Sequence, residues 1–495
     1  MILLNIDRQS EIPLFKQIVN KVIDIVENQT VKPGNRLPTT RALSESLGVN
    51  RSTVYTAYQY LNSLGYIESK PGSYTVVRKR FKTINNNTSY QSPSVDWESM
   101  ANSQSKEILD YFKLAGKYAI LPRTKDIINF TSLGVDNRLF PTEDFRRSMN
   151  NVLYYHGREL LGYGDVYGFL PLREYIANRL QTHGISAFSD NILITNGCQQ
   201  AIELILKLFA SPNKKVVIEA PTYFDILPLL KYYRADVIEI PMLNNGMDLN
   251  YLEKVLEKEK VGLIYTIPNF HNPTGITSSQ EHRENLLTIA EKCHVPIIED
   301  GFEEEMKYFG KVVLPIKSMD KAQIVIYLGT FSKALFPGLR IGWIVADANL
   351  IQRLVTIKKY SDLGVSPLTQ ASINAFCQNG FYDLHIRRIQ REYRKRMAVA
   401  FKIMKEEFPS NVNYTKPDGG YTIWISLPDY FGSEEAIYNT AISHGIMISP
   451  GNLFFYSPSK SVHFRISIAA LNEKEIIEGI KRLGDVLKKL HHTQL

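Results

Sequence analysis

The run from Ile324 to Trp343 places the tightest limits on what this chain can fold into. It opens with Ile324-Val325-Ile326-Tyr327, a short, apolar, β-branched stretch that predicts a buried strand. The strand empties into Thr330-Phe331-Ser332-Lys333, so the Lys333 amine stands at a sheet edge, where ligands of α/β folds bind. Seven residues on, Gly338-Leu339-Arg340-Ile341-Gly342 sets an arginine between glycines. The glycines permit close backbone approach and leave the guanidinium room to meet an anion. An amine able to attack an aldehyde, beside the hydroxyls of Thr330 and Ser332 and an arginine for a phosphate, is the set that pyridoxal 5'-phosphate (PLP) chemistry requires.

The spacing Thr330-x-Ser332-Lys333 followed by Gly338-x-Arg340-x-Gly342 resembles the Schiff-base segment of the fold-type I aminotransferases. The resemblance runs from about Ile127 to the C-terminus, where strand and helix patterns alternate and predict a mainly parallel sheet with helices on both faces. Asn191–Thr195 reads as a strand running into Asn196-Gly197-Cys198-Gln199-Gln200 and an amphipathic helix. A glycine turn at a helix N-terminus offers N–H groups and a positive dipole end to a phosphate. The resemblance makes Gly197, Cys198 and Gln199 the phosphate cup, with Thr330, Ser332 and Arg340 completing it. It makes Tyr223, after the strand Val216–Ala220, the residue stacked on the pyridine ring, and Asn272, in the specific string His271-Asn272-Pro273-Thr274-Gly275, the partner of the phenolic oxygen.

Val295–Asp300 is a further buried strand, and it ends in two acids. A carboxylate beside the pyridine nitrogen favours the protonated ring, the electron sink of PLP. The match to the family assigns that role to Asp300. Related regulators carry Tyr two residues later, where this chain has Phe302, a departure that weakens the case for efficient transamination. Tyr163, in Gly162–Gly168, matches the loop that reaches the phosphate of a neighbouring subunit, which implies a homodimer with shared sites. Arg465, inside the apolar strand Val462–Ser467, matches the arginine that clamps a substrate carboxylate bidentately.

The first part of the chain is of another kind. The net charge is +8, yet residues 1–82 hold 12 Lys and Arg against 6 Asp and Glu, leaving only +2 for everything after them. A basic module on a nearly neutral body points to a polyanion partner. Leu14, Ile18, Val22, Ile25 and Val26 have helical spacing, and a second helix from Thr39 or Thr40 to Leu47 is closed by Gly48. Asn50 is an N-cap for a third helix with the buried stripe Val54, Ala57, Leu61 and Leu64. Two helices joined by Gly48-Val49-Asn50 form a helix-turn-helix, whose leading residues Arg51, Ser52, Thr53 and Tyr55 face the major groove. Tyr66–Glu68 and Tyr74–Val77 predict a hairpin wing with Lys70 and Gly72 at its tip.

The string from Pro13-Leu14-Phe15-Lys16-Gln17 through Pro33-Gly34 and Leu47-Gly48-Val49-Asn50-Arg51-Ser52-Thr53-Val54 resembles the winged helix of the GntR regulators. Carried over, it makes Arg41 and Arg51 DNA-contacting positions and Thr53 and Gly72 phosphate or groove contacts. A winged helix fused to an aminotransferase-like body is similar to the MocR subfamily.

The expected architecture is thus α/β: a winged helix-turn-helix over 1–80, a linker over 81–122 with a docking helix near Ser105 to Lys117, and a PLP body over 123–495. The expected function is a cytoplasmic transcriptional regulator that binds an operator in double-stranded DNA. It senses an amino acid or amine that replaces Lys333 on PLP as an external aldimine. One alternative is a working aminotransferase with an appended DNA-binding domain, and another is a DNA-binding protein whose body no longer holds PLP. No apolar run reaches the roughly 18 residues of a membrane span. Charges come too early for a secretory leader, and Cys198, Cys293 and Cys377 have neither metal nor disulfide spacing.

Overall fold

A computed structural model of the chain describes residues 5–69, 74–79, 95–119, 126–302 and 304–492. They form two compact units, 1–97 and 98–495.

In the first unit, α1 (Leu14–Glu27), β1 (Arg36–Leu37), α2 (Thr40–Leu47), α3 (Arg51–Ser63), β2 (Ile67–Ser69) and β3 (Thr75–Val77) follow in order. The strands pair antiparallel as β1-β3-β2. Asn50 caps the third helix and Gly48 ends the second as the sequence predicts, and the structure adds Thr39 as the N-cap of α2. The Thr39 side chain accepts from the Ala42 amide, the Asn50 side chain accepts from the Ser52 amide, and Gly48 ends α2 in the left-handed region at φ 62°. Ile18, Val22, Leu43, Val54, Ala57 and Leu61 pack into one core. Leu64 does not join it; it lies past the last turn of α3 and is 41% exposed, and Tyr58 fills the core instead. The hydroxyl of Tyr58 donates to the Pro38 carbonyl.

The second unit opens with α4 (Ser103–Ala119), the docking helix expected within the linker, although Trp97–Met100 is helical as well. The body then runs through α5 (Thr142–Leu160), β4 (Ile192–Thr195), α6 (Cys198–Phe209), β5 (Lys215–Ala220), α7 (Ile226–Tyr232), β6 (Asp236–Leu243) and β7 (Gly246–Met247). Next come β8 (Val261–Thr266), β9 (Ile297–Asp300), β10 (Val325–Thr330), β11 (Gly342–Val345) and α8 (Ala348–Asp362). These strands make one eight-stranded sheet in the order β4-β11-β10-β9-β8-β5-β6-β7. β10, β9, β8, β5 and β6 pair parallel, while β11 is antiparallel to both of its neighbours. The carboxyl ends of β4, β5, β8, β9 and β10 therefore open on one edge, the edge at which open α/β sheets bind ligands.

The long helix α9 (Phe381–Glu407) precedes a smaller four-stranded sheet of β12 (Asn413–Tyr414), β13 (Thr422–Leu427), β14 (Ser449–Pro450) and β15 (Val462–Ser467). In that sheet Arg465 stands opposite Trp424 on one side and Ser449 on the other. Among the described residues no helix is long and apolar enough to cross a membrane.

Candidate functional site

The strand ends build a cavity lined by Lys333, Asp300, Tyr223, Asn272 and Arg340 together with Phe302. Cys198, Gln199, Thr330 and Ser332 line it as well. Residues far apart in sequence meet here because each follows the end of a neighbouring strand.

At one end lies Asp300, the last residue of β9 and buried. Tyr265, on the adjacent strand β8, donates its hydroxyl to Asp300 Oδ2 at 2.7 Å. Asp300 Oδ1 is buried without a hydrogen-bond partner. Burial pushes the Asp300 carboxyl up to about 6, against the opposing pull of the Tyr265 hydroxyl and of Lys333.

At the other end Gly197 (φ 79°) caps α6, so the helix begins at Cys198 and turns its first amides toward the cavity. Two glycines allow this turn to pack. A Cβ on Gly197 would meet Arg340 Nη2 at 2.5 Å, and a Cβ on Gly342 would meet the Gly197 carbonyl carbon at 2.7 Å. Arg340 itself takes a left-handed conformation (φ 54°) and donates to the Asn196 carbonyl at 3.3 Å. Thr330 Oγ1 donates to the Ile341 carbonyl and accepts from the Ser332 amide, while Ser332 Oγ is buried without a partner.

Lys333 lies between the two ends, with Nζ 3.4 Å from the Leu133 carbonyl. The Tyr421 hydroxyl donates to the backbone carbonyl of Lys333 at 2.6 Å and so holds the main chain beneath a movable side chain. Tyr223 donates to Asp225 Oδ2 at 2.9 Å and lies 3.2 Å from Gln199 Oε1, two contacts that fix its ring. Arg465 is buried; it donates to Asn272 Oδ1 at 2.9 Å, to the Thr131 carbonyl at 2.8 Å and to Ser449 Oγ at 3.2 Å. Cys198 donates to the Gly329 carbonyl, and burial drives its thiol well above the ordinary value, which removes it as a nucleophile. His271 is locked in its loop between Thr274 Oγ1 at 2.8 Å and Glu219 Oε2 at 3.1 Å.

Two orphaned polar atoms and an open helix N-terminus fit PLP. Asp300 Oδ1 suits the ring nitrogen, while Ser332, Arg340 and the Gly197–Gln199 turn suit the phosphate. Lys333 stands between them for the aldehyde. Tyr163 is not brought to this cavity; its ring is 94% exposed.

Several supporting residues leave no signal in the sequence. Tyr265 and Tyr421 read there as core tyrosines. Asp362, at the end of α8, accepts from Asn196 Nδ2 and Gln200 Nε2 at 2.8 and 2.6 Å, bracing the phosphate turn. The fully buried Lys358 neutralises it at 2.8 Å.

In the first unit, Arg51, Ser52 and Tyr55 are exposed at the start of α3, and Thr53 is half-buried. Ser52 Oγ donates to Asn50 Oδ1, and Arg51 Nε reaches Thr40 Oγ1 at 3.5 Å. Arg41, on α2, is exposed and paired with Glu45 at 3.0 Å. Lys70 and Gly72 lie outside the described residues.

Residues 128–483 match the family described as aminotransferase class I and II, and residues 14–77 match the bacterial regulatory proteins of the gntR family. The chain is 31% identical to the uncharacterised HTH-type transcriptional regulator YdfD of Bacillus subtilis, covering 98% of each. It is 34% identical to aromatic-amino-acid aminotransferase 1 of Thermococcus litoralis, over 81% of this chain and 96% of that one. Among solved structures it is similar to LysN, an α-aminoadipate aminotransferase of Thermus thermophilus complexed with N-(5'-phosphopyridoxyl)-L-leucine. The TM-score is 0.74 at 29% identity, over 81% of this chain and all of that one.

Proposed function

The chain belongs to the aminotransferase class I and II family and, over its full length, to the GntR-type regulators of the MocR subfamily, and from that premise we propose that it is an effector-gated transcriptional regulator acting in the cytoplasm. PLP is its cofactor. The observation that carries the reading is one cavity holding Lys333, Asp300 and the phosphate turn, in a chain that also carries an exposed recognition helix.

When bound, PLP supplies an aldehyde carbon that condenses with primary amines. Asp300 Oδ1 would hold a proton at the ring nitrogen, Tyr223 and Asn272 would set the ring's position, and Arg340, Thr330, Ser332 and the Gly197–Gln199 turn would hold the phosphate. Lys333 Nζ would be the amine that meets the aldehyde, and an effector amine would compete with it for that place. Arg465 receives the effector's carboxylate in place of Asn272 Oδ1, so the effector is an amino acid or a related amine. Arg41, Arg51, Ser52, Thr53 and Tyr55 contact an operator in double-stranded DNA, with Lys70 and Gly72 at the wing.

The signal leaves the cavity through α4. The Tyr111 hydroxyl donates to the carbonyl of Phe224, next to Tyr223, at 2.9 Å, and lies 3.2 Å from that of Leu453. Arg234 binds Ser103 at 2.7 Å, and Lys117 pairs with Glu435 at 2.6 Å. The helix that follows the reader in the chain therefore grips both sides of the cleft that effector binding closes, and closure displaces it. For this to regulate, the effector must bind the closed arrangement better than the open one. The protein works as a homodimer with shared sites. Tyr154, Tyr155, Leu161 and Tyr163 are 82, 69, 71 and 94% exposed, more apolar surface than one stretch of a monomer ordinarily shows.

The test is the absorbance of PLP-loaded protein titrated with amino acids and amines, with operator binding followed in parallel. Loss of the Lys333-dependent band in Lys333→Ala, and one ligand that moves both band and DNA affinity, are the expected results. Turnover to a keto acid with no change in DNA binding would instead make the chain an aminotransferase with an appended reader, which its resemblance to aminotransferases allows and Phe302 disfavours.

A further inference from the structure

One face of α9 is a continuous row of cations. Arg387, Arg388, Arg391, Arg394 and Lys395 are all exposed, and Lys402 and Lys405 continue the row. At about 100° per residue these seven side chains fall within one sector about 120° wide, and the row is about 27 Å long. The opposite face is rigidly held, with Ile386, Ile389, Tyr393, Met397 and Met404 buried. Four of the cations, with Leu139 and Glu392, line an open groove.

Carboxylates on the same helix are engaged by other cations: Asp383 by Arg179, Glu392, at the edge of the groove, by Arg396, and Glu407 by Lys488. The exposed Glu406 stands only at the C-terminal end. None of the seven cations forms an ion pair among the described residues. Arg387 and Arg391, Arg388 and Arg391, Arg391 and Lys395, and Lys402 and Lys405 are spaced three or four apart, so they repel one another along the helix. Outside the N-terminal module the chain is almost neutral, which makes this row a local concentration rather than a share of general basicity.

We propose that this face of α9 is a second DNA contact, in which the aminotransferase-like body lies against the phosphate backbone of double-stranded DNA, independently of base sequence. The chemistry fits a duplex better than an acidic peptide. The row is straight, with Ala398 uncharged at its centre and apolar surface only at its N-terminal end, where Leu139 lines the groove and Leu384 is exposed, while a duplex presents one charge per ~1.7 Å of its axis. The winged helix also raises the local concentration of DNA around the body once it has bound. The proposal goes beyond recognition by the reader and beyond effector sensing.

The test uses the full-length, PLP-loaded chain and a labelled random-sequence duplex, with affinity measured across a salt series. In Arg388→Glu/Arg391→Glu/Lys395→Glu the slope of log affinity against log salt should shrink by about 2 to 3, because each lost phosphate contact removes about 0.9. Affinity at fixed salt should fall at least about tenfold over the same change. A control triple on another exposed surface, Lys254→Glu/Lys258→Glu/Lys260→Glu, carries the same charge change and should lose much less. Both effects should recur in an Arg51→Ala background, which separates this contact from the reader. Equal losses in the two triples, an unchanged slope, or disappearance of the effect when Arg51 is removed would each overturn the proposal. An unchanged slope would leave the face to an acidic protein. The Gln triple at positions 388, 391 and 395 guards against misfolding, and the cofactor band reports the integrity of the body.

Discussion

Tyr265 donates to one oxygen of Asp300 at 2.7 Å and leaves the other buried and unpartnered. The carboxylate is thus oriented in the cofactor-free chain, with one acceptor left for the ring nitrogen in the proposed function. In the cofactor-free protein this arrangement is costly at neutral pH, since burial raises Asp300 from 3.8 to about 6. A carboxyl with a raised folded-state value contributes stability below the unfolded value and loses it as pH rises through the folded one. After PLP removal, Asp300→Asn should therefore gain stability relative to wild type between pH 4 and 6 and level off above that, by at most roughly 3 kcal/mol. Thermal unfolding across that range checks it, and the same variant should lose its affinity for PLP. A difference that is flat with pH would show that Asp300 does not titrate in this window.

Arg465 is held by Asn272, Thr131 and Ser449, three neutral groups that a ligand carboxylate can outcompete. Arg465→Lys keeps the charge but loses the planar fork. Affinity for amino acids should drop on the order of tenfold to a hundredfold, while amines without a carboxylate should bind as before. Spectral titration with matched pairs of ligands separates the two classes. An equal loss for both would place Arg465 in the scaffold.

Tyr111→Phe removes a hydroxyl that touches both sides of the cleft without entering the cavity. PLP and effector binding should stay within about twofold, while the effector's influence on DNA affinity should shrink by at least about threefold, the scale of one hydrogen bond. The measurement is a DNA titration with and without saturating effector. Full coupling in the variant would send the signal along another route.

Lys333 and Asp300 are legible in the sequence because each follows or ends an apolar run and a parallel sheet brings such ends together, Asn272 because of the string His271–Gly275, and Arg465 because it interrupts an apolar strand. The start of α2 stays open in the sequence between Thr39 and Thr40 until the structure shows Thr39 as the cap, whereas the winged helix is legible from the Asn50 cap and from Gly48. Residues that act through a neighbour are not. Tyr265 sits mid-strand and reads as core; only the parallel pairing of β8 with β9 carries its hydroxyl to Asp300. Asp362 reads as a helix end, and its role depends on where α8 lands against the phosphate turn. Leu64 is the opposite case. Its spacing fits the buried stripe, but the helix ends at Ser63 and the chain turns at Gly65 (φ 72°), which leaves it outside.

On the reader, Arg41 spends its Nε on Glu45, one turn along α2, at 3.0 Å with both side chains exposed. An exposed pair of this kind adds little to stability, at most about 1 kcal/mol. It does hold a carboxylate beside the guanidinium that we propose contacts DNA. Phosphate must displace that carboxylate and tolerate its charge. Glu45→Gln should therefore leave the melting temperature nearly unchanged and raise DNA affinity about twofold to fivefold at low salt, with the gain fading as salt screens the charge. Anisotropy titrations at two salt concentrations check this, with Arg41→Ala/Glu45→Gln as the partner variant. If Glu45→Gln strengthens binding equally when Arg41 is absent, the carboxylate acts by general repulsion. If it strengthens binding only when Arg41 is present, Arg41 is a phosphate-contacting residue restrained by Glu45.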